Sequence, residues 1–212
     1  MKLGQGARLI TATALTAVLA GSVYAQNLLV NGSFEDPTVG GQYESLTSIP
    51  GWTISTGHAI DLINTSFWPA VDGVQSIDLA GTPGVIGGSL SQTFATTPGQ
   101  TYFISFSYAN SINTADAAVA QLDVIGAGAL IEELLTHSGS TADNMNYVTY
   151  FRSFLADSTS TTLSFTHLSP SASLGLALDN VVIEVPETSS VVAMVGLAGT
   201  VGVAGWLRRR KK

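Results

Sequence analysis

The chain has no cysteine, which excludes disulfides, thiolate-bound zinc and thiol nucleophiles. Its stability must come from packing, helped or not by a bound ion. Basic residues are nearly as scarce in the body of the chain. Seven of the eight sit at the two ends (Lys2, Arg8, Arg208, Arg209, Arg210, Lys211 and Lys212), and Arg152 alone lies between. All 15 acidic residues fall within residues 26–187, so that stretch carries a formal charge of 1 − 15 = −14. Such a field repels phosphate backbones and anionic lipid, which removes nucleic acid as a partner; divalent cations and neutral sugars stay open. A helical pattern of any length is missing from the same stretch. His58, His137 and His167 have no zinc spacing and read as satisfied surface or edge residues. No Gly-x-Ser-x-Gly elbow occurs, and nothing in the spacing of Asp61, Asp72 and Asp78 singles out a glycosidase pair. The sequence therefore does not read as an enzyme.

What is present at the two ends is a pair of address labels. Residues 1–25 have a short basic start, an apolar or small run from Leu9 to Gly21, and Val23-Tyr24-Ala25 ahead of Gln26. That is the layout of a cleavable secretory signal peptide. The alternative is an uncleaved anchor, but the apolar run is short against the roughly 20 residues a span needs. Residues 186–212 begin in a polar hinge, run uncharged from Val191 to Leu207, and close on five basic residues. Seventeen residues of helix reach about 25 Å, enough for a thin bilayer. The basic end stays cytoplasmic. A domain over residues 26–185 is thus expected outside the inner membrane, held to it by a C-terminal helix. The tail, with Val185-Pro186-Glu187, the span and the Arg-rich end, resembles a PEP-CTERM sorting signal. That resemblance implies processing by an exosortase-type protease and release to the cell surface or beyond. Thr188 stands where that signal usually has Pro. Pro186-Glu187-Thr188 also resembles part of a sortase motif, which Val185 and Ser189 do not complete.

Between the ends, short alternating runs lie between turn signals. Tyr102–Tyr108 follows the turn Pro98-Gly99-Gln100; Ala118–Ile125 puts Ala118, Ala120, Leu122 and Val124 on one side. Tyr147–Phe154, Thr161–His167 and Leu176–Val185 continue the pattern, while Leu130–Thr136 reads as strand or a short helical turn. Asp72-Gly73 is a tight turn before a strand whose Val74, Ser76 and Asp78 oppose Gln75, Ile77 and Leu79. Many short antiparallel strands predict an all-β sandwich or barrel.

Six pieces in order carry a further resemblance. They are Asn27-Leu28-Leu29-Val30-Asn31-Gly32-Ser33-Phe34-Glu35-Asp36-Pro37, Ile49-Pro50-Gly51-Trp52, Ile60–Ile63 with Trp68, Asp72–Leu79, Ser91–Phe94 with Pro98–Tyr102, and Leu178–Ile183. Together they look like the DUF642 and choice-of-anchor C group of exported domains, similar to galactose-binding-like jelly rolls. The resemblance implies an antiparallel jelly-roll β-sandwich and binding to polysaccharide. It also implies a structural Ca²⁺ held by Glu35 and Asp179, helped by main-chain oxygens near Asn31 and Ser33, since hard cations collect carboxylates and carbonyls.

Sugar platforms are flat aromatic rings beside polar groups. Trp68 lies in a loop-like stretch with Asp61 and Asp72 near it in sequence, and is the preferred exposed aromatic; the other reading is a core indole. Trp52 reads as core. The expected function is a carbohydrate-binding surface module, and the alternative is a structural or adhesion protein without a dedicated ligand.

Overall fold

The computed structural model describes residues 26–81, 86–112, 116–170 and 175–186. The expected signal peptide and the part of the expected sorting tail beyond Pro186 lie outside these residues. The described chain forms eleven strands: β1 (Tyr43–Leu46), β2 (Thr53–Ile54), β3 (Ile60–Asn64), β4 (Gln75–Asp78), β5 (Ser89–Ala95), β6 (Thr101–Asn110), β7 (Ala118–Ile125), β8 (Ala129–His137), β9 (Val148–Leu155), β10 (Ser160–His167) and β11 (Leu176–Glu184). They pair antiparallel into a six-stranded sheet ordered β1-β3-β4-β11-β6-β9 and a five-stranded sheet ordered β2-β5-β10-β7-β8. This is the expected jelly-roll β-sandwich. The segment 130–136, open between strand and helical turn, is strand β8.

Period-two alternation builds the space between the sheets. Leu163 and Phe165 on β10, Leu122 and Val124 on β7, and Ile104 and Phe106 on β6 all point inward and are buried. Phe106 stacks on Tyr150 at 4.7 Å between ring centroids and meets the edge of Phe165 at 5.0 Å. A second, smaller cluster of Ile63, Trp68, Ala109, Met145 and Ala177 lies on the outer side of the six-stranded sheet. Loops cover this part of the outer face. In consequence β4 is buried at all four positions and β11 at its first four, so both faces of these central strands are covered.

The opening segment runs beside β11, as expected of a first strand, but forms no ladder. Two backbone bonds hold it there, from the Leu28 amide to the Ile183 carbonyl and from the Val181 amide to the Gly32 carbonyl, both at 2.8 Å, and the Asn27 side chain adds two more. Its Nδ2 donates to the Val181 carbonyl at 2.8 Å, and its Oδ1 accepts from the Ile183 amide at 2.9 Å. Gly32 is required here because a Cβ would sit 2.1 Å from the Val181 oxygen. On the other side Gln92 of β5 exchanges both hydrogen bonds with the Val30 backbone, at 2.7 and 3.0 Å. The segment therefore ties the two sheets together at one end. It then turns at Asn31 and Phe34, both with positive φ (54° and 59°), which drives Phe34 into the core against Trp52 at 5.4 Å. Trp52 is buried, and its indole N–H donates to the Asn31 carbonyl at 3.0 Å.

A bulky residue at positive φ is held only where its surroundings over-determine it. Phe34→Ala should therefore cost about 3–5 kcal/mol of stability by denaturant unfolding, the usual range for a buried Phe. A loss below about 1 kcal/mol would show that the plug is not seated as described.

Candidate functional site

Glu35 and Asp179 converge on one segment, residues 71–75, but not as ligands of an ion. The amides of Val74 and Gln75 both donate to Glu35 Oε1 at 2.9 Å. The amides of Val71 and Asp72 donate to Asp179 Oδ2 at 2.6 and 3.0 Å, and that of Asn180 to Oδ1 at 2.6 Å. Asn31 is committed as well: its side-chain amide donates to the carbonyls of Asp36 and Pro50, and its Oδ1 accepts from the Asp36 amide. Its own carbonyl accepts from Phe34 and Trp52. Ser33 lies between, half-buried. A calcium cage needs six to eight oxygens turned toward the ion. Here backbone N–H groups donate to Glu35 Oε1 and to both oxygens of Asp179, and no cluster of three or more His, Cys, Asp or Glu occurs among the described residues. Of the four residues expected around Ca²⁺, Glu35, Asp179 and Asn31 are thus engaged with protein N–H groups. The backbone amides of 71–75 take the place that a cation would fill.

This clamp also decides the fate of Trp68. With 71–75 pinned to β11 and to the opening segment, the connection from β3 to β4 folds back over the outer face. Small side chains at Ser76, Ala109 and Ala177 leave a seat there, and the Trp68 indole fills it at 1% exposure, with its N–H donating to Ser76 Oγ at 2.9 Å. The expectation of an exposed platform at Trp68 is corrected: its ring face is not open to a ligand. Asp61 and Asp72 do not meet either. Asp61 stands opposite Asp78 in the β3–β4 pairing and accepts from the Ser45 hydroxyl. Asp72 is exposed in the connection at the other end of the hairpin.

His137 is a satisfied residue of the edge strand β8, as expected. His137 and His167 are buried, not surface residues. His137 Nδ1 faces Asn110 Oδ1 and Nε2 faces the Asn146 carbonyl, both at 2.9 Å, so it links β6 to the loop before β9.

Two carboxyls are perturbed. Burial pushes Asp78 up to about 7, against the opposing pull of a hydrogen bond from Ala80; the nearby Asp61 adds to the rise. Burial likewise lifts Asp179 to about 6, moderated by its three amide donors.

The part of the outer face that no described loop covers lies toward the start of β6 and the end of β9. In register across three strands run Val182, Ser105 and Phe151, and next to them Glu184, Phe103 and Ser153. Phe103 and Phe151 touch diagonally at 5.3 Å with rings tilted 38°. Phe151 is 55% exposed. Around the pair the side chains of Ser105, Ser153, Thr149 and Glu184 form no hydrogen bond or ion pair among the described residues. An open aromatic pair ringed by uncommitted polar groups is what a sugar face needs. Sequence reading missed it because the two rings are far apart in the chain. The local signal was an aromatic at an outward position among serines, Phe103 beside Ser105 and Ser107.

A family model described as a protein of unknown function, DUF642, matches residues 27–184. The chain belongs to the DUF642 family. This DUF642 chain is 36% identical over 174 residues to halomucin of Haloquadratum walsbyi (strain DSM 16790 / HBSQ001). The match covers 76% of this chain and 2% of halomucin, so the chain spans a small fraction of that relative's length. Among solved structures, an arabinose-bound α-L-arabinofuranosidase is similar with a TM-score of 0.51 at 10% identity, over 80% of this chain and 28% of the enzyme. A carbohydrate-binding module in complex with β-1,4-galactotriose gives 0.49 at 17%, over 76% of this chain and 99% of the module. The first of these shows the DUF642 fold to be shared with one part of a larger enzyme chain.

Chelator should leave the melting curve of the DUF642 domain unchanged, whereas Asp179→Ala should lower stability by about 3 kcal/mol, because it strands several amides at once. A chelator-induced drop of several degrees would restore the cation. The pH dependence follows from the raised carboxyls. Native Asp78 and Asp179 hold their protons more tightly than the unfolded chain, so stability is highest below the unfolded value of 3.8 and falls as pH rises through about 6 and about 7. Melting temperature should therefore rise when pH is lowered from 8 to 5. Asp78→Asn should flatten that slope and be no less stable at pH 8. A profile that instead falls toward pH 5 would contradict the burial of these groups.

Proposed function

We propose that this domain is an exported carbohydrate-binding module of the cell surface, and that Phe103 and Phe151 form its sugar platform. The observation that supports it is the open half of the outer sheet face. Two rings in contact, tilted 38° to each other, offer carbon surface to the apolar face of a pyranose, and hydroxyls on either side can exchange hydrogen bonds with the sugar. The rings stand on neighbouring long strands, so the platform is pre-formed and little ordering is needed on binding. The alternation of the strands supports a rigid role too: their inward neighbours Tyr102 and Phe154 stack at 5.5 Å and hold the backbone beneath.

Export rests on the signal-peptide layout of residues 1–25, and retention on the tail over residues 186–212. In this reading the membrane holds the C-terminal helix until an exosortase-type protease acts near Val185-Pro186-Glu187. β11, which carries part of the platform, leads straight into that hinge. The glycan offered to the platform would then be exopolysaccharide or an envelope polymer near the attachment point. The competing role, an adhesive protein with no dedicated ligand, has one observation in its favour: Val148, Phe151 and Leu155 leave apolar surface along the edge strand β9.

A glycan array followed by calorimetry separates these. The module reading expects reproducible binding to an oligosaccharide, lost at least about tenfold in Phe151→Ala and in Phe103→Ala with the fold intact by circular dichroism. Silence across neutral, amino and acidic glycans, with self-association that Phe151→Ala abolishes, would favour the adhesive role.

A further inference from the structure

The charge around the platform narrows what it can take. In the register of the platform the charged side chain is the acidic Glu184, while Arg152, next to Phe151 on β9, falls on the opposite side of the strand. The domain's lone cation, Arg152, is spent elsewhere: it bridges to Glu133 at 3.3 Å, donates to the Phe151 carbonyl, and lies 5.3 Å from the Tyr150 ring centroid. Tyr150 and Arg152 alternate with Phe151 along β9 and belong to the inward side of the strand. Glu184 is the one carboxylate within the platform. It stands directly across from Phe103 in the β11–β6 register, which puts their Cβ atoms about 5 Å apart. It is half-buried and makes no hydrogen bond or ion pair among the described residues. Glu35 and Asp179 are committed to backbone amides, and Asp157 accepts from the amides of Ala127 and Gly128. Glu184 has no such partner among the described residues.

An uncommitted carboxylate beside two aromatic faces is complementary to an ammonium group. The carboxylate supplies the ion pair, and the ring faces supply the attraction of their quadrupole for a cation. The acidic field of the whole domain, −14 over residues 26–187, adds in the same direction and concentrates cations near the surface. Uronic acids and sulfated sugars meet only repulsion. An N-acetylated amino sugar can stack on the rings but gives Glu184 no charge to pair.

We infer that the platform prefers a glycan carrying free amino groups, a partly or fully de-N-acetylated amino-sugar polymer, with Glu184 as the residue that sets the preference. This rests on the reading of Phe103 and Phe151 as the sugar platform. Stacking decides whether a sugar binds, and Glu184 decides which.

The test uses the full-length chain and three probes of equal length by calorimetry: β-1,4-linked glucosamine oligomers, their N-acetylated counterparts, and uronic-acid oligomers. The glucosamine oligomer should bind about tenfold more tightly than the acetylated one, and the uronic-acid oligomer not measurably. High salt should shrink that preference, and Glu184→Gln should bring the two oligomers to the same affinity. Asp143→Asn, an exposed acid in the loop before β9, serves as the control and should leave the preference in place. Equal binding of the two amino-sugar forms overturns the inference. So does a preference that survives Glu184→Gln, or one that Asp143→Asn reduces just as much, which would make it attraction to net charge alone. In each of those cases loss of binding in Phe151→Ala keeps the platform itself. If Phe151→Ala changes nothing for any probe, the platform reading falls and this preference with it.

Discussion

The carboxylate of Asp179 is the interaction on which the outer face depends. It sits on β11, buried near the middle of the six-stranded sheet, and gathers the amides of Val71, Asp72 and Asn180. A buried carboxylate is tolerated only when donors surround it. Those three amides come from the β3–β4 connection and from the bulge that follows Asp179 itself, where Asn180 takes a φ of 51°. Fixing the connection there lays Trp68 over Ser76, Ala109 and Ala177. One half of the outer face is thereby closed and becomes a second core. The other half, past the bulge, has no described loop over it and leaves Phe151 exposed and Phe103 half-buried. A single hydrogen-bonded acid thus separates the part of the sheet that stabilises from the part that can bind.

The polar groups buried around this clamp follow the same rule. Gln75 points toward the space between the sheets, yet its amide is fully used: Nε2 donates to the Phe34 and Pro37 carbonyls and Oε1 accepts from Val39. Asp78 has only 4% exposure and sits opposite Asp61, which is why burial holds its proton on near neutral pH. Gly175 is obligatory beside it, since a Cβ would lie 1.3 Å from Asp78 Oδ1. With no disulfide and one basic residue, the domain neutralises its buried acids with backbone amides and protons.

Much of the architecture was legible in the sequence, and the site was not. Period-two runs such as 118–125 and 161–167 announce half-buried strands directly, because inward and outward positions differ in kind. Trp52 was readable as core, next to a glycine that lets the chain turn inward. The errors share one cause. Trp68 lies in a polar loop, and its burial depends on small residues at 76, 109 and 177 that meet only through the sheet order β4-β11-β6. Glu35 and Asp179 do converge, as the family resemblance implied, but what lies between them is a stretch of backbone that sequence cannot orient. The Phe103–Phe151 pair needs the β6–β9 register, a long-range pairing that periodicity within one strand does not contain.

The most direct test of the account is a backbone amide shift map of the isotope-labelled protein titrated with an oligosaccharide that it binds. The account predicts perturbations concentrated at residues 103–105, 149–153 and 182–184, with the amides of 65–72 unmoved. Perturbations centred on 65–72, with 103–105 and 149–153 silent, would contradict it and return the site to the Trp68 loop.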